Sequence, residues 1–207
     1  MRGEAGQVGT LSMMGVQRRQ YLYSEWKKAS ISPSHANDVS AIARFIINHE
    51  SRYATVSSAT GCPFWVVGIF HYRESSFDWN THLANGDPLF DRHGNLLKTT
   101  HVPAGLGPFR TWEEGAIGAL HYEHGGYAHY HWDVANALEN IEAYNGMGYA
   151  NLGVMNPYLF SFSNLYVHGK YGSDGHYNPK LVDAQCGAVP IMQSLISKGI
   201  SIADIPV

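Results

Sequence analysis

Residues 63–76 read PFWVVGIFHYRESS, and this stretch decides the fold class. Pro63 stands where a first-turn proline belongs, because its missing N–H costs a helix start nothing. From there to Phe70 the segment is apolar nearly all round. A helix with no polar face belongs in the middle of a domain rather than on its surface. Upstream, DVSAIARFIINHESRY (38–53) repeats Val39, Ile42, Ala43, Ile46 and Ile47 at helical spacing, which predicts an amphipathic helix.

Downstream the texture changes. Residues 80–108 are rich in Gly, Asn, Asp and Pro, with short β-prone pieces between turn signals. They read as an irregular loop plus a small hairpin turning at His93-Gly94-Asn95. Thr111 and Glu114 have capping-box spacing ahead of a helix that carries Trp112, Ala116, Ile117 and Leu120 and stops at Gly125-Gly126. Another helix places Val134, Ala137, Leu138, Ile141 and Tyr144 on one stripe and ends at Gly146. A tail helix is expected through Val182, Cys186, Val189 and Met192, bent or interrupted at Pro190. Residues 1–37 read as an N-terminal arm, loose or part-helical, and residues 38–207 as one domain. The expected class is mainly α (α+β), with a buried central helix and a small β-hairpin region.

Composition narrows the function. The 207 residues are 44% hydrophobic and 15% charged, enough apolar material for a packed core, and the net charge is −3. That balance gives no electrostatic reason for nucleic acid as a partner. No apolar run reaches the roughly 20 residues of a membrane span, so no stable membrane insertion is expected. The N-terminus lacks the apolar core of a signal peptide. Cys62 and Cys186 read as two buried thiols, with a single long-range bridge as the alternative.

Glu74 is the first catalytic candidate. Val67, Phe70 and His71 stand at i−7, i−4 and i−3, so its carboxyl lies against apolar surface, and it occupies the last turn, where free carbonyls make the potential negative. Both oppose ionisation. A carboxylic acid that keeps its proton is what glycosidic cleavage needs to protonate a leaving oxygen. A helix-terminal Glu salt-bridged to Arg73, Arg92 or Arg110 is the structural alternative. Asp87 and Asp91 follow it by thirteen and seventeen residues as second carboxylates. A gap of about 5 Å would suit a retaining pathway and about 6.5–9.5 Å an inverting one. Thr99 and Thr100 can hold a water or serve as plain strand residues, and Asp87 in Asn-Gly-Asp-Pro is also an ordinary turn residue.

The segments at 63–89 (PFWVVGIFHYRESSFDWNTHLANGDPL), 98–105 (KTTHVPAG), 111–120 (TWEEGAIGAL), 142–149 (EAYNGMGY), 156–177 (NPYLFSFSNLYVHGKYGSDGHY) and 182–188 (VDAQCGA) resemble phage and prophage "lysozyme family" endolysins. Glu74-Ser75 at the end of a buried helix is similar to the signature of goose-type lysozymes and lytic transglycosylases. The Tyr144-Asn145 pair resembles their Tyr-Asn element. Residues 90–97 (FDRHGNLL) lengthen the hairpin relative to that family. The resemblance implies a lysozyme-like fold and a glycan-strand hydrolase cutting the β-1,4 bond between N-acetylmuramic acid and N-acetylglucosamine. It implies Glu74 as the acid, Asp87 as second group, Thr99 as water-holder, and Tyr144, Asn145, Tyr149 and Tyr158 as sugar contacts. The expected partner is bacterial peptidoglycan, met as a monomer and without a cofactor, after release from the host cytoplasm. A lytic transglycosylase using the same Glu, a chitinase-like activity and a non-catalytic wall-binding protein are the alternatives.

The run HYEHGGYAHYHW (121–132) gathers His121, Glu123, His124, His129 and His131, a set that can bind zinc but lacks the spacing of a metal helix. The expectation for metal is therefore none. Thirteen tyrosines and five tryptophans offer rings for stacking on sugar faces, with Trp79 and Tyr166 in loop-like contexts. Ser75 and Ser76 lack a histidine arrangement for acyl transfer.

Overall fold

The computed structural model describes residues 4–173 and 175–205, with the side chains of residues 4–14, 123 and 124 left out. Its helices are α1 (Glu4–Lys28), α2 (Ala36–Asn48), α3 (Glu50–Thr60), α4 (Phe64–Ser75), α5 (Trp112–His124), α6 (Val134–Asn145), α7 (Gly148–Leu152), α8 (Pro157–Phe160) and α9 (Ala188–Ser197). Two short strands, β1 (Lys170–Tyr171) and β2 (Tyr177–Asn178), pair antiparallel with Lys170 opposite Asn178 and Tyr171 opposite Tyr177. The chain is mainly helical with one small sheet. No helix among the described residues is long and apolar enough to cross a membrane.

The chain divides into two compact units, one of residues 40–130 and one joining residues 1–39 to 131–207. In the middle unit α3 packs on both α4 and α5. Residues Trp65 to His71 of α4 are all buried, as a helix without a polar face requires. Gly68 marks where α2 crosses it: a Cβ there would lie 2.7 Å from Ile46 Cγ2. The helix expected over 38–53 breaks at His49. Its Nδ1 bonds the Phe45 carbonyl at 2.9 Å, and its own carbonyl takes the N–H groups of Arg52 and Tyr53, opening a new helix. Thr111 caps α5 through the Glu114 N–H at 3.1 Å, while the Glu114 carboxylate reaches the Arg110 N–H at 2.9 Å.

In the other unit α1 packs along α6. The segment expected as a loose or part-helical arm is a packed helix: Leu22 and Trp26 are buried, and Arg18 and Arg19 bond Glu142 and Glu139. The α6 stripe is as read, with Val134, Ala137, Leu138 and Ile141 buried, Asp133 capping its start and Gly146 its end. The tail helix is shorter than expected. It starts at Ala188, so Pro190 falls in the first turn, where its missing N–H has no intrahelical partner to lose. Val182 lies outside it and is exposed.

The β region also differs from expectation. Between residues 80 and 108 there are only isolated bridges, Thr81 with Pro88 and Phe90 with Leu96. The turn at His93-Gly94-Asn95 is present, closed by Asp91 N–H to the Asn95 carbonyl at 2.9 Å. Side chains take the N–H groups a ladder would need: Asp91 those of His93 and Asn95, Asp87 those of Thr100 and His101, Thr99 that of Leu106.

Candidate functional site

Glu74 sits in the last turn of α4, half-buried, as its spacing predicts. The helix ends on two successive non-glycine residues in the left-handed region, Ser76 (φ 52°) and Phe77 (φ 69°). Each such residue costs on the order of 1–2 kcal/mol. The turn is held by Ser76 N–H to the Tyr72 carbonyl at 2.8 Å and by Phe77 N–H to the His71 carbonyl at 3.2 Å. The Phe77 ring stacks on Phe45 with centroids 4.0 Å apart. The polar loop then returns to the helix end. Gly86, at φ 74°, comes so close that a Cβ would stand 3.0 Å from the Glu74 carbonyl oxygen. Only glycine meets both conditions without strain.

The next residue, Asp87, is the hub of that loop. Its carboxylate is 7% exposed, and five donors reach it. Thr100 gives its N–H at 2.6 Å and its hydroxyl at 3.2 Å; His101 gives its N–H at 2.9 Å and bonds through its ring Nδ1 at 2.6 Å; Asn85 gives its amide at 3.3 Å. Burial opposes ionisation here, but the His101 and Thr100 hydrogen bonds outweigh it and hold the carboxyl well below the usual range. Thr99 is buried. Its hydroxyl proton goes to the Pro103 carbonyl, and its oxygen accepts the Leu106 N–H at 2.9 Å. It therefore has no proton left to give a water. Asp91, the other acidic candidate, turns both oxygens onto His93 and Asn95.

An aromatic group backs the end of α4. His71 is buried, with Tyr53 Oη 3.0 Å from its Nδ1 and the rings of Trp79 and Trp112 at 4.3 and 4.4 Å. Burial pushes its pKa down to about 4, so the ring is neutral at ordinary pH. Trp79, expected as a free stacking platform, is half-buried. One face lies 5.4 Å from Tyr53, and the Arg52 guanidinium stands 3.7 Å over the ring. Arg52 is itself fixed by Glu113 at 2.5 Å.

The residues expected to touch sugar belong to the other unit. Tyr144 is half-buried and Asn145 exposed. Asn145, Gly146, Gly148, Tyr149 and Tyr171 line a small pocket of about 200 Å³. Tyr149 is largely buried, and its hydroxyl accepts the Tyr171 N–H at 3.1 Å. Tyr158 must be corrected: at 4% exposure in α8, whose four residues are all buried, it is a core residue. Tyr166 is likewise buried, donating to the Gly169 carbonyl and accepting the Asp183 N–H.

Within the histidine-rich run, the side chains of Glu123 and His124 lie outside the described residues. Among the described residues no three His, Cys, Asp or Glu side chains converge as metal ligands. Cys62 and Cys186 are both buried and not joined in a disulfide, and burial pushes the Cys62 thiol up.

Sequence reasoning missed His101. Nothing marks it in the sequence, since its partner Asp87 lies fourteen residues away across a loop without regular periodicity. Compared with family models, curated proteins and solved structures, the chain matches none.

Proposed function

We propose that this chain cleaves the glycan strand of bacterial peptidoglycan, with Glu74 as general acid. The observation that carries the reading is the approach of Gly86 to the Glu74 carbonyl, which brings the Asp87 hub beside the end of a buried helix. The Glu74 carboxyl gives its proton to the bridging oxygen of the β-1,4 bond between N-acetylmuramic acid and N-acetylglucosamine. Positive charge develops on the anomeric carbon as the bond opens, and the ionised Asp87 adds a favourable field. No cofactor enters the step. The test is Glu74→Gln, which keeps shape and hydrogen bonding but carries no proton to transfer. Purified variant is expected to fold as the parent and to release no soluble fragments from purified cell wall. Release at the parental rate would remove Glu74 from the mechanism.

A second reading, a lytic transglycosylase, draws on one specific observation. The Asp87 oxygens are taken up by the loop and Thr99 has no free proton, so neither is suited to guide a water. Attack by the sugar's own 6-hydroxyl needs only Glu74. Mass spectra of the fragments separate the two: 1,6-anhydro ends mean transglycosylation and reducing ends mean hydrolysis.

A further inference from the structure

Asp87 and His101 have opposite exposures for two bonded side chains. The carboxylate is 7% exposed and the imidazole 81%, with Nδ1 and Oδ1 2.6 Å apart. An ionised carboxylate only accepts, so the Nδ1 in that bond carries the hydrogen. In the neutral ring the lone pair is then on Nε2, the nitrogen turned away from the carboxylate. The ring is not needed to hold the loop, because the backbone N–H groups of Thr100 and His101 already bind Asp87 at 2.6 and 2.9 Å. Nor does it contribute to a core. What the bond does is fix the tautomer and direction of an imidazole that reaches into solvent, the arrangement by which a carboxylate prepares a histidine to take a proton. Asn85 braces the same element, its amide reaching Asp87 Oδ2 at 3.3 Å and the His101 carbonyl at 3.1 Å. Through Gly86, this pair is tied to the Glu74 end of α4.

We propose that His101, oriented by Asp87, is the general base that activates water for glycan hydrolysis. The inference rests on the reading of Glu74 as the acid. In the step, His101 Nε2 takes one proton from a water whose oxygen bonds to the anomeric carbon. The bond from that carbon to the bridging oxygen breaks, its electron pair stays on the oxygen, and the Glu74 proton joins it. The products are one new reducing end and one new 4-hydroxyl. His101 then loses its proton to solvent and Glu74 regains one. Because water arrives opposite the leaving group, the first-formed reducing end has inverted configuration. Asp87 is a positioning residue, acting through the ring rather than on the sugar.

The experiment uses the full chain on purified peptidoglycan and compares His101→Ala, His101→Asn, Asp87→Asn and Glu74→Gln. In His101→Asn the amide can still donate to Asp87, so the loop keeps its tie while the base is lost. Both His101 variants are expected to release reducing ends about 100-fold or more slowly, within the range for a lost acid–base group, with KM little changed. Added imidazole is expected to restore part of kcat in His101→Ala, in proportion to its concentration, and nothing in Asp87→Asn, whose own ring still fills the place. Parental rates in both His101 variants, or a loss in His101→Ala that imidazole leaves untouched, would overturn the His101 assignment while Glu74→Gln stays inactive. An active Glu74→Gln, or a parent that releases no fragments, would instead overturn the acid and this assignment with it.

Discussion

Arg18 and Glu142 form a two-pronged ion pair, Nε to Oε2 at 2.7 Å and Nη2 to Oε1 at 2.5 Å, in which the Glu142 side chain is entirely buried. Asn156 adds a third donor at 3.2 Å. A carboxylate taken fully out of water is tolerated only with such partners. Arg18→Ala is expected to destabilise the protein by about 3–5 kcal/mol, the usual effect of leaving one member of a buried pair alone. The double variant Arg18→Met with Glu142→Met should recover most of that. Urea unfolding of the two checks both expectations.

Gly86→Ala tests the loop's return to the helix end. Alanine at φ 74° costs about 1 kcal/mol or more, and its methyl would press on the Glu74 carbonyl 3.0 Å away. The expected result is a stability loss of about 1–2 kcal/mol with a fall in fragment release larger than the unfolded fraction explains. Unfolding midpoint and release rate, measured on one preparation, separate the two effects.

Gly68→Ala tests the crossing of α2 over α4. The added methyl would meet Ile46 Cγ2 at 2.7 Å in a packed core, and such overpacking costs about 1–3 kcal/mol. Ile46→Val removes only the terminal Cδ1 methyl and leaves that contact in place, whereas Ile46→Ala in the same chain clears it. Thermal unfolding of Gly68→Ala with each second change is expected to show non-additive relief for Ala and little for Val.

Stability should fall on mild acidification, and His71 is the cause. Its pKa in the fold is about 4 against an ordinary 6.5, because burial disfavours the charged ring. Between those values the unfolded chain binds the proton and the folded chain does not. Stability is therefore whole above pH 6.5 and declines as pH falls toward 4, by on the order of 3 kcal/mol if the fold survives. Asp87 acts lower still: its depressed pKa contributes stability that is present above the ordinary carboxylate range and lost as pH drops below it. In His71→Gln the slope between pH 6.5 and 4 should flatten, read from urea midpoints across that window.

The elements legible in the sequence were those with a strong local signal. α4, α5 and α6 stand where apolar stripes, the Thr111 cap and the stop at Gly146 put them, and Glu74 lies at the end of α4 as its spacing requires. What escaped was set by partners far along the chain. Arg18 has no visible role until Glu142 is beside it, so α1 read as an arm. The loop at 80–108 carried β-like residues, but Asp87, Asp91 and Thr99 captured the N–H groups that strands would have shared. Tyr158 sits in a Pro-led stretch that looks like a loop, yet the short α8 it forms is buried whole. His101 acquires meaning only through Asp87, and no periodicity links the two.

Joining the first 39 residues to the last 77 in one unit has a consequence for how the chain comes off the ribosome. α1 precedes its partners by a long way: Glu142, Asn164 and Gln193, which bond Arg18, Ser30 and Ala29, lie 124, 134 and 164 residues further along the chain. The middle unit, built from residues 40–130, is complete in sequence well before that. Docking α1 on α6 therefore needs the closure of a long loop, which entropy makes costlier than the local contacts of the middle unit.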